Sequence, residues 1–276
     1  MAETTGLVVV GGGKMGEALV AGLIRAGWPT EEIVVVEQDS ARRDELTRKH
    51  AGLAVVGRVA EAPQPASAGG AVIAVKPADV REVCAAIATS GIRRVLSIAA
   101  GVTIGSLEEW LARSGGIAVV RAMPNTPALV GAGVAAISAG SAARPEDMKW
   151  ARRVLEAVGT VVELPEPALD AVTGVSGSGP AYVFLLAEAL IDAGVLVGLA
   201  RPVARELAVG TLLGAGRLLH ETGEEPSALR AAVTSPGGTT AAGLRALEAA
   251  GFRNAVLEAV SAATERSRQL GRHGAG

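Results

Sequence analysis

The chain has a single cysteine, Cys84, among 276 residues. A disulfide framework within it is thereby excluded, and a cysteine-built metal cluster is not expected. Lysine occurs only at Lys14, Lys49, Lys76 and Lys149, histidine at His50, His220 and His273, and tyrosine at Tyr182. These short inventories leave few side chains able to act as a general acid or base near neutral pH. No basic stripe stands out and the net charge is −2, so nucleic acid is not an expected partner. The opening MAETTGLVVVGGG has no basic segment ahead of its apolar run and does not read as a signal peptide. The most apolar later stretch, Tyr182 to Leu199, carries Glu188 and Asp192, which argues against a membrane helix. These features predict a cytoplasmic protein.

What is present is apolar: 49% hydrophobic against 20% charged residues, a globular composition. Short β-branched runs at Leu7–Val10, Ile33–Val36, Val55–Val56, Val72–Val75, Val95–Ile98 and Val119–Val120 alternate with segments of helical spacing. That alternation predicts an α/β fold with a parallel sheet and crossover helices. The clearest helix is Lys14–Ala26, with Met15, Leu19, Val20, Leu23 and Ile24 on one stripe. Val161–Val162 reads as a last strand, and Leu164-Pro165-Glu166-Pro167 as a boundary. Beyond it, helical spacing dominates at 168–174, 179–194, 201–220, 226–232, 239–250 and 252–270. The expected division is therefore a dinucleotide-binding domain at 1–164 and an all-helical domain at 165–276. Pro63–Gly70 reads as a loop and Gly271–Gly276 as a frayed end.

Gly11-Gly12-Gly13-Lys14-Met15-Gly16 fits G-x-G-x-x-G between the first strand and the first helix. In that context Gly11 permits the tight turn and Gly13 lets a pyrophosphate approach the backbone. Gly16 allows close helix–strand packing, and the helix N-terminus offers free N–H groups to phosphate. Glu37 ends the second strand, where it can accept hydrogen bonds from ribose hydroxyls or stand as a solvated strand end. Arg42 and Arg43 lie just downstream, where they could reach a 2′-phosphate. The choice between NAD and NADP stays open.

Other candidates lie at strand ends and helix starts. Lys76-Pro77 follows one strand; Lys76 could be an acid, a cofactor contact or a surface lysine. Asn125, in Met123-Pro124-Asn125-Thr126-Pro127, could bond a nicotinamide or brace its own turn. Thr234-Ser235-Pro236-Gly237-Gly238-Thr239-Thr240 opens a helix and can present bare amides and hydroxyls to a carboxylate, or simply cap that helix. Ser176-Gly177-Ser178-Gly179-Pro180 opens another, where close packing is the favoured reading.

The segments AVKPADV, SIAAGVTI, VVRAMPNTPALVGAGV, DAVTGVSGSGPAYVFLLAEALIDAGV and AAVTSPGGTTAAGLRALEAAGFR resemble pyrroline-5-carboxylate reductases, over about Leu7 to Leu270. The resemblance implies a Rossmann-type domain followed by an all-α domain that interlocks with a second copy, as a homodimer or a ring of dimers. It implies NAD(P)H-dependent reduction of 1-pyrroline-5-carboxylate to L-proline, the last step of proline synthesis, by hydride transfer to the imine carbon. By similarity, Ser235, Gly237, Gly238 and Thr239 would hold the substrate carboxylate. Thr240 would face the imine nitrogen, and Glu166 would belong to the substrate pocket. Gly11, Gly12, Gly13, Lys14, Met15, Gly16, Ala74, Val75, Lys76, Pro77, Ala99, Ala100 and Gly101 would line the cofactor, with Glu37 at the ribose and Asn125 near the nicotinamide. Lys14 and Glu37-Gln38 depart from the family's usual residues, and both fall on the adenosine–pyrophosphate side.

The poverty in bases agrees with an imine substrate. A hydroxy-acid dehydrogenase needs a base beside the carbinol, and none of the three histidines looks placed for it. A cyclic imine can bind protonated, so that positioning is the main requirement. Two other readings are another imine or keto-acid reductase with the same cofactor domain, and a dinucleotide-binding regulator without turnover.

Overall fold

The computed structural model describes residues 6–62, 69–112 and 115–273, with backbone alone at 272–273. Most of the Pro63–Gly70 loop and residues 274–276 lie outside the described residues.

Eight strands form one sheet: β1 (Leu7–Val10), β2 (Ile33–Val36), β3 (Ala54–Val56), β4 (Gly70–Ile73), β5 (Arg94–Ser97), β6 (Ala118–Met123), β7 (Gly133–Ala139) and β8 (Gly159–Glu163). Their spatial order is β3-β2-β1-β4-β5-β6-β7-β8. The first six run parallel; β7 is antiparallel to β6, and β8 is parallel to β7. β1, β2 and β4 are buried at every residue, which is why they read as unbroken apolar runs rather than alternating ones.

Alternate residues of those runs feed opposite faces. Leu7 and Val9 join Leu19, Leu46 and Trp150 in one core cluster; Val8 and Val10 join Ile73, Cys84 and Leu107 in the other. Helices α1 (Lys14–Arg25), α2 (Ser40–Lys49) and α5 (Pro145–Glu156) supply the first cluster. Helices α3 (Val80–Ile87) and α4 (Ile104–Leu111) supply the second. The result is a doubly wound α/β sheet.

Two strands start and stop earlier than their β-branched runs suggest. β4 ends at Ile73 rather than Val75 because it pairs in register with β1, Val10 opposite Ile73, and β1 stops at its glycines. β5 spans 94–97 rather than 95–98, following the same ladder. β7 was not expected at all. Its sequence, GVAAISA, has only Val134 and Ile137 among five glycine, alanine and serine residues, so its strand signature is weak, and its place between β6 and β8 makes it one.

The helical half contains α6 (Leu169–Val172), a π turn (Thr173–Gly177), α7 (Gly179–Leu196), α8 (Arg201–Thr222), α9 (Pro226–Ala232), α10 (Thr239–Ala249) and α11 (Phe252–His273). Helix continues through 271–273, where fraying was expected. By compactness the chain forms two units, 1–177 with 262–276, and 178–261. These units part at a different place from 164/165, because α6 packs against β6 and the end of α11 is tied to α6 and to the turn at Gly101. Leu169 is fully buried, and Ser267 Oγ donates to Asp170 at 2.6 Å.

In the second unit only Ala204 and Ala208 are buried. Phe184, Leu185, Leu213 and Leu257 are each more than 60% exposed there. By length and composition the helical stretch Glu166–Leu196 would suffice to cross a membrane.

Candidate active site

Strand order reverses on either side of β1, with β2 on one side and β4 on the other. The crevice at the carboxyl ends of β1 and β4 is thus the switch point at which such sheets bind ligands. Both chain segments expected to line a cofactor, Gly11–Gly16 and Ala74–Pro77, leave the sheet there. The Ala74 amide donates to the Val10 carbonyl and the Gly11 amide to the Val36 carbonyl, each at 2.8 Å.

The glycines divide the work. Gly11 has φ +109°, and a Cβ on it would lie 2.7 Å from the Ala74 carbonyl. A Cβ on Gly16 would run into the Gly11 carbonyl oxygen. At Gly13 a Cβ would meet nothing within 4 Å, so that face of the turn is open. Gly13 is also the N-cap of α1 and provides no side-chain cap. The positive end of this twelve-residue helix is therefore uncapped by a side chain and open at Gly13, a fit for a pyrophosphate. Lys14 is exposed on that first turn, while Met15 packs on the core.

Glu37 stands at the end of β2. Its Oε2 accepts from the Gly12 amide and its Oε1 from the Asp39 amide, both at 2.9 Å. The carboxylate is thus fixed against the glycine turn, not loosely solvated. Arg42, expected as a possible phosphate contact, is tied elsewhere: Nε to the Gly12 carbonyl at 2.8 Å, Nη1 to Glu45 at 2.6 Å and Nη2 to Glu17 at 2.5 Å. Lys49 bridges the same two carboxylates. Hydrogen bonds from Lys49 and then Arg42 hold Glu45 down to about 2. At Glu17 burial pushes upward, but the hydrogen bonds from Arg42 and Lys49 prevail and lower it.

Further along the same edge, Lys76 is an exposed residue capping the short 3-10 turn Pro77–Asp79, with Ala74 and Val75 half-buried behind it. Ala99 is buried and Ala100 exposed. Gly101, at φ +76°, lies against Leu270 of α11, 3.6 Å from where a Cβ would be.

Asn125 is 8% exposed, and its bonds are those of a brace. Oδ1 accepts from the Val134 amide at 2.8 Å, and Nδ2 donates to the Ser176 carbonyl at 3.1 Å. The residue four positions after Ser176 is Pro180, which has no N–H to offer that carbonyl. Asn125 supplies the missing donor and so ties the turn after β6 to the π turn.

Glu166 Oε1 accepts from Arg121 Nη1 at 2.8 Å and from the Ile104 amide at 2.7 Å. Arg121, inside β6 and 8% exposed, was not singled out by sequence reasoning. Its partner is 45 residues away, and no local pattern signals such a pair.

In the second unit, Ser235–Gly238 forms a tight turn, with the Gly238 amide donating to the Ser235 carbonyl at 3.1 Å. Pro236 followed by Gly237 at φ +69° is the pattern of a type II turn. A Cβ on Gly238 would run into Ser235 Oγ, so a larger residue there would have to turn that hydroxyl aside. Gly238 caps α10 without a side-chain bond, and Thr239 and Thr240 are exposed on its first turn. An amide-rich helix start flanked by hydroxyls results.

A parallel sheet with an open glycine turn at its switch point, followed by a helical half, defines a Rossmann-type nicotinamide-dependent oxidoreductase. Residues 166–270 match the family model described as pyrroline-5-carboxylate reductase dimerisation. Residues 6–101 match that of NADP oxidoreductase, coenzyme F420-dependent. The pyrroline-5-carboxylate reductase of Synechocystis sp. is 47% identical over 272 residues, 96% of this chain and 98% of that one. The solved pyrroline-5-carboxylate reductase of Coxiella burnetii superposes with a TM-score of 0.91 at 34% identity, covering 97% of this chain and 99% of that one. The Plasmodium falciparum pyrroline carboxylate reductase, solved with NADP bound, has a TM-score of 0.82 at 32% identity, covering 98% and 99%. The chain belongs to the pyrroline-5-carboxylate reductase family.

Proposed function

We propose that this chain reduces 1-pyrroline-5-carboxylate to L-proline with a nicotinamide cofactor, as the closing step of proline synthesis in the cytoplasm. One observation carries the reading: two helices, α1 and α10, begin at glycines that leave their first-turn amides uncapped by side chains. The first suits a pyrophosphate and the second a carboxylate, the two anions this reaction must hold.

When bound, the cofactor supplies the hydride. Gly13 to Gly16 and Lys14 hold its pyrophosphate, Glu37 its ribose, and the segments 74–77 and 99–101 its flanks. Ser235, Gly237, Gly238 and Thr239 hold the substrate carboxylate. Thr240 orients the imine nitrogen through its hydroxyl. Glu166, through the oxygen that Arg121 does not take, helps close the substrate pocket. Asn125 keeps one amide hydrogen for the nicotinamide side while bracing its turn. The catalytic contribution is largely positional, consistent with the absence of a histidine or lysine anywhere in 150–219 and 221–272.

The division at 164/165 marks a functional boundary, with 165–276 serving dimerisation and substrate binding. The exposed apolar side chains of α7 and α8 are the surface that a second copy covers, giving a homodimer or a ring of dimers.

The test is oxidation of NADH or NADPH on adding pyrroline-5-carboxylate, with proline identified as product. Turnover with either cofactor is expected. A folded protein that consumes neither refutes the reading. Thr240→Ala is expected to lower kcat while leaving cofactor Kd unchanged; an unchanged kcat removes Thr240 from the mechanism.

A further inference from the structure

We infer that the ribose end of this site selects a free 2′-hydroxyl, so that the chain prefers NADH to NADPH, and that Arg42 is withheld from the cofactor by a closed ion-pair network. The inference rests on the proposed function, because it concerns the cofactor of the same site.

Two backbone amides, those of Gly12 and Asp39, hold the Glu37 carboxylate at the end of β2, one on each oxygen at 2.9 Å. Each carboxylate oxygen retains another lone pair, so ribose hydroxyls can still donate to it. A 2′-phosphate has no such proton to give at neutral pH. It also brings nearly two negative charges toward a fixed one. Glu37 cannot swing aside cheaply, since its departure would strip the Gly12 amide inside the phosphate-binding turn.

Phosphate binding would need a cation to offset this, and Arg42 and Lys49 are committed to carboxylates. Every nitrogen of the Arg42 guanidinium has a partner: the Gly12 carbonyl, Glu45 and Glu17. Lys49 lies 3.1 Å from Glu17 and 2.7 Å from Glu45. Two cations thus face two carboxylates, and the cluster presents no surplus positive charge. Rotating Arg42 toward a phosphate would abandon both acids and the half-buried Gly12 carbonyl together. Arg43 turns its Nη1 onto the Glu37 and Gln38 carbonyls at 3.0 and 2.7 Å, which pins the corner between β2 and α2. The P. falciparum relative was solved with NADP bound, so the preference inferred here must come from this chain's own residues.

Calorimetric titration of the full-length protein with NADH and with NADPH reads the inference without turnover. For the parent, NADH is expected to bind on the order of ten- to a hundredfold tighter, the cost of setting a nearly doubly charged phosphate about 4 Å from one carboxylate with water screening the pair. Glu37→Ser should weaken NADH and strengthen NADPH. Glu17→Gln combined with Glu45→Gln should release Arg42 and tighten NADPH while NADH changes less than about twofold, a difference smaller than a lost hydrogen bond would cause. Arg42→Ala should leave the NADPH-to-NADH ratio where it was. Equal or tighter NADPH binding by the parent overturns the inference, as does selective loss of NADPH binding in Arg42→Ala. If pyrroline-5-carboxylate is still reduced in that case, only the inference has failed. A folded protein that binds neither nucleotide removes the proposed function as well.

Discussion

Replacing Asn125 by alanine separates two roles for one side chain. As a brace it satisfies the Val134 amide and the Ser176 carbonyl, and Pro180 denies the latter its helical donor. Truncation leaves both backbone groups without their partner. A buried polar group left unsatisfied costs about 1–3 kcal/mol. Val134 is 38% exposed as a residue, so water can partly replace the bond to its amide. The combined loss is therefore set at about 2–4 kcal/mol, the lower part of the range for two groups. For a domain of this size that is a fall in thermal midpoint of roughly 4–16 °C.

The assay is a thermal melt run beside steady-state kinetics. A brace predicts a lowered midpoint, with kcat and KM changing together at low temperature, because the turn after β6 and the π turn lose their common tie. Asn125→Asp keeps an acceptor for Val134 but sets an oxygen against the Ser176 carbonyl, so it should not rescue stability. A variant that melts within about 1 °C of the parent, while kcat collapses, would refute the bracing argument. It would make the nicotinamide contact the main role of Asn125.

Three other outcomes follow from the geometry. Gly16→Ala drives a methyl group into the Gly11 carbonyl and should cost about 1–3 kcal/mol of stability, whereas Gly13→Ala enters open space and should weaken nucleotide binding with stability unchanged; melts and titrations of the pair distinguish them. Glu17 and Glu45 titrate below the ordinary carboxylate range when folded, so their contribution is complete above the unfolded value near 4.5 and is lost as pH falls toward about 2. Glu17→Gln should flatten that acid limb in a melt-versus-pH series, and an unchanged limb would show that the network does not stabilise the fold. The second unit buries only Ala204 and Ala208, so its melting should depend on protein concentration, and a midpoint constant over a hundredfold dilution would deny it an intermolecular core.

Much of the fold was legible because its strands are apolar on both faces and its helices periodic. The bounds of α9 and the starts of α7, α8, α10 and α11 coincide with those expected from spacing, because Pro180, Pro202 and Pro226 and the glycines at 223, 238 and 251 punctuate them. β7 was illegible for the opposite reason. Alanine, glycine and serine have no preference strong enough to announce a strand, and the pairing that makes one is non-local. The strand ends at 73 and 97 were misplaced because register with a neighbour, not side-chain type, decides where a ladder stops.

The site divides along the same line. Backbone features were readable, since the need for glycine at 11 and 16 is a steric property of a single turn. Polar side chains were not, since a sequence states what Arg42, Asn125 and Glu166 can donate or accept but not which partner takes the offer. The Glu17–Arg42 contact spans 25 residues, Asn125–Ser176 spans 51 and Glu166–Ile104 spans 62. Each is fixed only when separate elements dock, and each changes what the residue has left for a ligand. Arg42 loses its reach toward a phosphate, Asn125 retains one of two amide hydrogens, and Glu166 retains one oxygen. A motif names the reaction because turn geometry is local; cofactor preference hangs on ion pairs that form across the fold, which is why closely similar glycine turns can serve different nucleotides.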